Sequence, residues 1–146
     1  MVKNMLVPVD GSEYSKNALE LACDLADKYD ARLHLLHVIL SPEAKHTLVL
    51  GGDVVTVDAS EEEIEEVGHN VIEAASKIAA EHGRDEVETD VRGGPTAQRI
   101  LEYAKENDID MIVMGSRGLS DISGLLIGSV SHKVSHLAPC TCVTVH

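Results

Sequence analysis

The feature that most constrains the fold of this chain is the regular alternation of short β-prone runs with segments of helical periodicity. Between the runs, apolar residues recur at the three- and four-residue spacing of an amphipathic helix. This alternation predicts an α/β protein whose parallel sheet is covered by helices on both faces. Right-handed crossovers then favour five strands in the order 3-2-1-4-5. The predicted strands lie at 5–10, 32–40, 87–92, 110–114 and 141–146.

Local residues mark where the helices begin and end. Ser12 is the predicted N-cap of the first helix. Ser60-Glu-Glu-Glu63 forms a capping box for the second helix, which ends near Gly83. Pro95 occupies the first turn of a third helix, and residues 129–137 form a fourth. We expect the first helix to carry one apolar stripe of Tyr14, Ala18, Leu21, Ala22 and Leu25.

The connection from Ser41 to Ala59 is long for an α/β protein. Two β-prone runs, Thr-Leu-Val-Leu and Val-Val-Thr-Val, lie on either side of Gly51-Gly52, which predicts a small hairpin. Its apolar side chains need cover from the body of the protein, from a partner subunit or from a ligand. We interpret it as a packing or dimer element rather than as a catalytic lid.

Length and composition limit the class of protein. The 146 residues suffice for one domain with its own core, so we treat 1–146 as a single domain. Phe and Trp are absent, which leaves Leu, Ile, Val, Ala and Met to build the core. A formal charge of −13 argues against nucleic acid as a partner, because such binding begins with Lys and Arg neutralising phosphates. The acidic excess is also compatible with a habitat of concentrated salt.

No targeting or membrane segment is expected. The first residues enter a strand directly, without the charged and apolar regions of a signal peptide. No apolar run approaches the roughly 18 residues that a membrane span requires. The three cysteines are odd in number, and Cys140-Thr-Cys142 lacks the spacing of a redox or zinc motif. We therefore expect a cytoplasmic protein with no membrane partner and with structural thiols.

The segment from Val113 to Val130 has the glycines of a phosphate-binding loop. Gly115, Gly118 and Gly128 leave the main chain uncovered, and residue 129 opens the fourth predicted helix. Free backbone N–H groups and the positive end of a helix dipole bind anions at such a position. The alternative is that these glycines only shape a turn between a strand and a helix.

The predicted strand order brings Asp10 to the same crevice as Gly115. Strands 1 and 4 are neighbours, and the chain leaves them towards opposite faces of the sheet, so a cleft opens at their carboxyl ends. Asp10 can accept hydrogen bonds from ribose hydroxyls or help to hold a phosphate-bound divalent cation. Its alternative role is to cap the first helix.

Two motifs resemble the universal stress protein family. Gly115-Ser-Arg-Gly118, nine residues and then Gly128-Ser129 is similar to the nucleotide-binding loop of that family. Met5-Leu-Val-Pro-Val-Asp10-Gly-Ser12 is similar to its first strand, which ends in an aspartate. The likeness covers nearly the whole chain. It implies an adenine nucleotide alpha hydrolase-like fold and an ATP-binding, nucleotide-dependent regulatory protein of the stress response.

The resemblance also implies where the ligand binds. In ATP-binding members, backbone groups and apolar side chains near the ends of strands 1, 2 and 4 hold the adenine. The ligand would be ATP, or else AMP or ADP, with Mg²⁺ or Mn²⁺ bound through the phosphates. The implied adenine contacts are Pro8, Val9, Val38 and Met114. The implied ribose and phosphate contacts are Gly115, Ser116, Gly118, Gly128, Ser129 and Val130, joined by Asp10 and Arg117.

One residue departs from what a phosphate site favours. Asp121 lies inside the proposed loop, where Arg117 and, more distantly, Lys133 offset its charge. A divalent cation would restore attraction for phosphate, and a loop that directs Asp121 to solvent would make it harmless. The sequence is compatible with both.

The sequence lacks the motifs of several competing chemistries. It contains neither a Gly-x-x-x-x-Gly-Lys-Ser/Thr loop nor a Gly-x-Gly-x-x-Gly after the first strand, and it has no nucleophile elbow. His132 and His136 have the spacing that can place two imidazoles on one metal, but no Glu follows as in zinc proteases and no third ligand is evident. We expect at most slow ATP hydrolysis.

Three functions remain to be distinguished. The favoured one is nucleotide binding that shifts shape or assembly, with a homodimer formed through the last strand, as the resemblance implies. The second is an enzyme of the same fold that hydrolyses an adenine nucleotide or uses it to activate a substrate. The third is a nucleotide-free dimeric interaction module in which the glycine loop is only a turn. Nucleotide released on denaturation would favour the first two.

Overall fold

The structure is a computed structural model that describes residues 1–39, 46–50, 53–57, 61–118 and 128–146. Five strands and four helices alternate in the order expected, with a hairpin between β2 and α2. The elements are β1 (Asn4–Pro8), α1 (Glu13–Tyr29), β2 (Arg32–Ile39), β3 (His46–Leu50), β4 (Asp53–Val57), α2 (Glu61–Glu81), β5 (Glu88–Gly93), α3 (Thr96–Glu106), β6 (Met111–Gly115), α4 (Ser129–Leu137) and β7 (Thr141–Val145).

The main sheet confirms the predicted order. Its strands run β5-β2-β1-β6-β7, all parallel, which is 3-2-1-4-5 when the hairpin is left out. Met5 and Leu6 of β1 are both completely buried, yet they belong to different cores. Met5 packs with residues of α1 and α2, whereas Leu6 packs with residues of α3 and α4. Helices therefore cover both faces, and β1 lies at the centre of the sheet.

The buried stripe of α1 differs from the predicted one. The buried residues are Ser15, Ala18, Leu19, Ala22, Cys23 and Ala26, whereas Tyr14, Leu21 and Leu25 are only partly buried. Ala18 and Ala22 of the predicted stripe are confirmed, and the buried face is rotated from the predicted one at the other positions. The sheet instead receives a face of mostly small residues, because small side chains let the helix axis approach the strands closely.

The predicted hairpin is present. β3 and β4 pair antiparallel from His46 opposite Val57 to Leu50 opposite Asp53, as a sheet separate from the main one. The Gly51-Gly52 turn and the Ser60 cap lie outside the described residues. What covers the hairpin stays a prediction.

The edge strand β5 is more polar than the central strand β1. β5 forms one edge of the main sheet, and its Arg92 pairs with Asp90 at 2.9 Å and with Glu106 of α3 at 2.6 Å. Pro95 is the N-cap of α3 rather than a residue of its first turn. Among the described residues, no helix is both long and apolar enough to cross a membrane.

Candidate functional site

The sheet brings the ends of β1 and β6 together. The two strands are parallel neighbours, with Met5 opposite Met111 and Leu6 opposite Ile112. The chain continues from β1 into α1 on one face, and from β6 towards α4 on the other. The residues that follow Pro8 and Met114 therefore share one edge of the sheet. This is the crevice that the strand order predicts.

The segment that delivers Asp10 is fixed to β2. The Val9 amide donates to the Leu36 carbonyl at 2.9 Å. His37 Nδ1 lies 2.7 Å from the Val9 carbonyl oxygen, so the imidazole donates to it. Both main-chain polar groups of Val9 are thus bound beyond the end of β1. Sequence reasoning assigned no role to His37, because its contact depends on the pairing of two strands.

Asp10 braces the turn between β1 and α1. Its Oδ1 accepts a hydrogen bond from the Ser12 amide at 2.9 Å, and Gly11 adopts a φ of +84°, a conformation that glycine adopts without strain. The helix itself is capped by Ser12, whose Oγ accepts from the Ser15 amide at 3.2 Å. The predicted N-cap is confirmed. A carboxylate has about four lone-pair positions, so the bond to Ser12 is compatible with further acceptance by Asp10.

Gly115 lies directly against the first turn of α1. A Cβ built on it would be 2.7 Å from Tyr14 Cβ and 2.8 Å from the Tyr14 carbonyl carbon. Real side chains do not approach so closely, and backbone cannot easily move aside. A glycine is therefore required here by helix packing, whatever else approaches it. No pattern in the sequence indicates this contact.

The two ends of the glycine loop meet at Ser116. The Ser116 carbonyl accepts from the Gly128 amide at 2.5 Å and from Ser131 Oγ at 2.8 Å. The Ser116 amide donates to the Val145 carbonyl at 2.7 Å. The start of α4 is thereby held beside the ends of β6 and β7. Residues 119–127, including Asp121, lie outside the described residues.

Ser116 faces the end of the chain with its side chain. Its Oγ lies 3.0 Å from His146 Nδ1, and the residue is completely buried. The sequence predicts a ribose or phosphate contact for Ser116 and no role for His146. The side chain of Ser116 serves the junction with the C-terminal residue, which leaves its main chain as the part that borders the loop.

Among the described residues, the start of α4 has no side-chain cap. Its N-cap is Gly128, at φ −70° and ψ 161°, and its first turn contains no acidic residue. These angles are accessible to every amino acid, so the backbone conformation does not require glycine. Ser129 is exposed and Val130 is half-buried. A helix start without a side-chain acceptor presents N–H donors and a partial positive charge.

Arg117 supplies positive charge beside the first turn of α1. Its guanidinium carbon lies 5.9 Å from the centre of the Tyr14 ring. Its Nε is buried and has no hydrogen-bond partner among the described residues. A buried donor without an acceptor costs free energy, so an oxygen atom arriving at this position would be stabilising.

The predicted adenine contacts divide between the two cores. Val9 packs in the core beneath α1 and α2, whereas Val38 and Met114 pack in the core beneath α3 and α4. Pro8, at the end of β1, is partly exposed. These residues lie at the ends of three neighbouring strands. A flat ligand that lies across the strand ends is one that could contact both sets.

A cavity of about 340 Å³ opens elsewhere, between α1 and α2. It reaches Gly11 and Ser12 at the crevice, and then follows Leu19, Val71 and Ile78 down the two helices. It includes no residue of 115–118 or 128–130. Its lining is mostly apolar, which does not suit a phosphate. We therefore base the candidate site on the crevice and its donors.

Comparison with known proteins agrees with this architecture. The sequence profile of the Universal stress protein family matches residues 1–146. Universal stress protein YxiE of Bacillus subtilis is 38% identical over 148 aligned residues, which cover 99% of each chain. Among solved structures, universal stress protein UspA from Lactobacillus plantarum has a TM-score of 0.76 at 25% identity, over 99% of this chain and 98% of that one.

Two further structures carry ligands. A universal stress protein in complex with cAMP has a TM-score of 0.74 at 24% identity, over 99% of this chain and 97% of that one. A universal stress protein family protein from Arabidopsis thaliana with AMP bound has a TM-score of 0.68 at 22% identity, over 98% and 90% of the two chains. At these identities the likeness concerns the fold.

Proposed function

Because the chain belongs to the universal stress protein family, we propose that it binds an adenine nucleotide in the crevice between the ends of β1 and β6. Binding is the proposed activity, and occupancy regulates a stress response. The observation that carries the proposal is the junction of Ser116 with Gly128 and Ser131, which sets an uncapped helix start beside the end of β6. The relatives with cAMP and with AMP support the ligand class.

The phosphates are proposed to bind at the first turn of α4. The N–H groups of Ser129 and Val130 would donate to them, aided by the positive end of the helix dipole. The main chain of Gly118 would border the same group. Arg117 fits this role because its buried Nε lacks a partner among the described residues. A phosphate or ribose oxygen would satisfy that donor.

The base is proposed to lie across the strand ends. Adenine is flat, and its faces would contact Pro8 and Val9 on one side and Val38 and Met114 on the other. Asp10 would accept from the ribose hydroxyls, since it lies at the end of the segment that His37 and Leu36 hold in place. The main chain of Gly115 and Ser116 would border the ribose.

We propose ATP with Mg²⁺ or Mn²⁺ as the ligand, with AMP as the alternative. Among the described residues, no three His, Cys, Asp or Glu side chains form a group that could hold a metal ion. A hard cation at this site would therefore be held mainly by the phosphates and by water. Asp10, which follows β1, is the carboxylate that we propose could join it. The cation would also offset the acidic charge of the chain, which is formally −13.

The three cysteines favour a binding protein over an enzyme with a cysteine nucleophile. They also favour a reducing compartment. Burial raises the pKa of Cys23 to about 11 and that of Cys142 to about 11, and it also raises the pKa of Cys140. Thiols of high pKa are poor nucleophiles, because the thiolate is the reactive form. All three are free, which suits the cytoplasm.

The proposed assembly is a homodimer through β7. This strand forms the second edge of the main sheet, and unpaired edge strands favour pairing with another copy. Salt should strengthen the dimer by screening the doubled negative charge. Sedimentation at low and high salt tests this, and a monomer at every salt concentration would contradict it.

Calorimetry with the untagged protein tests the nucleotide proposal. We expect heat of binding with ATP and Mg²⁺, or with AMP, at concentrations up to millimolar. Gly128→Val should weaken binding by about 10- to 100-fold, the equivalent of one charge-assisted hydrogen bond. Ala80→Val, on the exposed face of α2, is the matched control and should bind like the wild type. No heat with either nucleotide would reject the proposal.

A further inference from the structure

Most of the described histidine side chains have a hydrogen-bond partner for Nδ1. The partners are Tyr103 for His34, the Val9 carbonyl for His37, the Ile78 carbonyl for His82 and Ser116 for His146. Within the described part of the chain, neither His132 nor His136 has a hydrogen-bond partner for its ring. These two residues lie on the same helix, α4, at positions i and i+4.

The two rings form a matched pair on the outer face of α4. They are parallel to within 2°, and their centroids are 6.3 Å apart. Both residues are exposed, while Ser131 and Val134 form the buried face of the helix. The sequence alone provided the spacing. The structure adds that both rings point to the same side and that no described group occupies their nitrogens.

We propose that His132 and His136 chelate a divalent transition-metal ion of the class that prefers imidazole, namely Cu²⁺, Ni²⁺ or Zn²⁺. Neutral imidazole is a ligand for these ions, and Cu²⁺ binds most tightly among them. The described residues include no group of three or more potential ligands. The described residues therefore supply two ligands to the proposed site, and water would complete the coordination.

The helix allows both imidazoles to bind the same ion instead of two separate ions. Residues four apart on a helix have Cβ atoms about 5–6 Å apart, so the second imidazole is already near an ion held by the first. Exposed side chains change rotamer in picoseconds to nanoseconds, which lets both rings reach metal–nitrogen distances of about 2.0–2.1 Å. The net charge of −13 also raises the local concentration of cations.

The site is distinct from the proposed nucleotide site. Mg²⁺ and Mn²⁺ favour oxygen ligands and would be held by phosphates, whereas this pair offers two nitrogens. Neither histidine is among the proposed nucleotide contacts. Loss of the metal site would therefore leave nucleotide binding unchanged, and the converse would also hold.

Titration of untagged, chelator-treated protein with Cu²⁺ tests the proposal. His132→Ala and His136→Ala should each weaken the tightest binding by about tenfold or more, because the second ligand then no longer acts at high effective concentration. His69→Ala is the matched control, since His69 is an exposed histidine on another helix. This control variant should bind like the wild type.

Electron paramagnetic resonance provides a second readout. Cu²⁺ on the wild type should show two coupled imidazole nitrogens, and each single variant on α4 should show one. Thermal melts without metal establish that the variants are folded. Equal Cu²⁺ affinity of the wild type and the double variant, or an equal loss in His69→Ala, would overturn the proposal.

Discussion

Two helices begin at the crevice, and they begin differently. At the start of α1, the Ser12 side chain accepts a hydrogen bond from the Ser15 amide. The acidic Glu13 in the first turn interacts favourably with the positive end of the helix dipole. At the start of α4, Gly128 has no side chain and no acidic residue follows in the first turn. Among the described residues, the start of α1 has a side-chain acceptor and an acidic first-turn residue, whereas the start of α4 has neither. The start of α4 is therefore better suited to an external anion than the start of α1.

The largest expected effect comes from giving α4 the kind of cap that α1 has. Gly128→Asp places a carboxylate where it can accept from the first-turn amides and repel phosphate. Nucleotide affinity should fall by about 100-fold or more, which is close to 3 kcal/mol. Thermal stability should stay equal or rise, because Asp is a good N-cap. Calorimetry and a thermal melt of the same sample measure both quantities, and unchanged affinity would break the comparison.

The second effect concerns the contact that joins the two regions. Gly115→Ala puts a methyl group within 2.7 Å of Tyr14 Cβ and 2.8 Å of its backbone. We expect a loss of about 1–3 kcal/mol in the free energy of unfolding, typical of overpacking. Urea denaturation measures it. The control is Gly93→Ala, because a Cβ added there would lie 4.0 Å from its nearest neighbour, the Ile39 carbonyl oxygen, and should cost little stability. A Gly115→Ala variant as stable as the wild type would contradict the close packing.

A smaller effect is expected at the start of α1. Ser12→Ala removes the side-chain acceptor for the Ser15 amide, and loss of such a cap costs about 1 kcal/mol of stability. Nucleotide affinity should change little, because the proposed phosphate donors belong to α4. If Ser12→Ala weakened nucleotide binding as much as Gly128→Asp, the two helix starts would not differ in function.

The smallest expected effect is a pH dependence of stability that arises from His34. Burial lowers the pKa of His34 below its ordinary value of 6.5, and its Nδ1 lies 3.0 Å from the Tyr103 hydroxyl. Protons therefore bind the unfolded chain more readily than the folded one. The stabilising contribution is complete above pH 6.5 and is lost as the pH falls below it. Urea midpoints at pH 7.5 and 5.5 should differ more in the wild type than in His34→Gln, and equal differences would refute this.

Sequence periodicity predicted the fold because local residue spacing indicates each helix and strand. The order of these elements then limits how the strands can be arranged in the sheet. The alternation of strands and helices determined the order of the sheet, and the predicted bounds of α4, residues 129–137, agree with the structure. The buried stripe of α1 was misjudged. Only Ala18 and Ala22 of the predicted stripe are buried, because the face of α1 that packs on the sheet is rotated from the predicted one.

The site could be predicted only in part. Asp10 and Gly115 were placed at one crevice by topology alone. The contacts of Gly115 with Tyr14 and of Ser116 with His146 join residues that are distant in sequence. No local pattern indicates such contacts, because they depend on how helices and strands pack after they form. The roles of the individual residues towards a nucleotide stay predictions.

The most direct test of the central claim is the amide NMR spectrum of the protein during titration with AMP, and with ATP and Mg²⁺. If the phosphates bind at the start of α4, the amides of Ser129 and Val130 should shift most. The amides of Glu13 and Tyr14 in the first turn of α1 should shift little. Large shifts at the start of α1 with none at the start of α4 would contradict it.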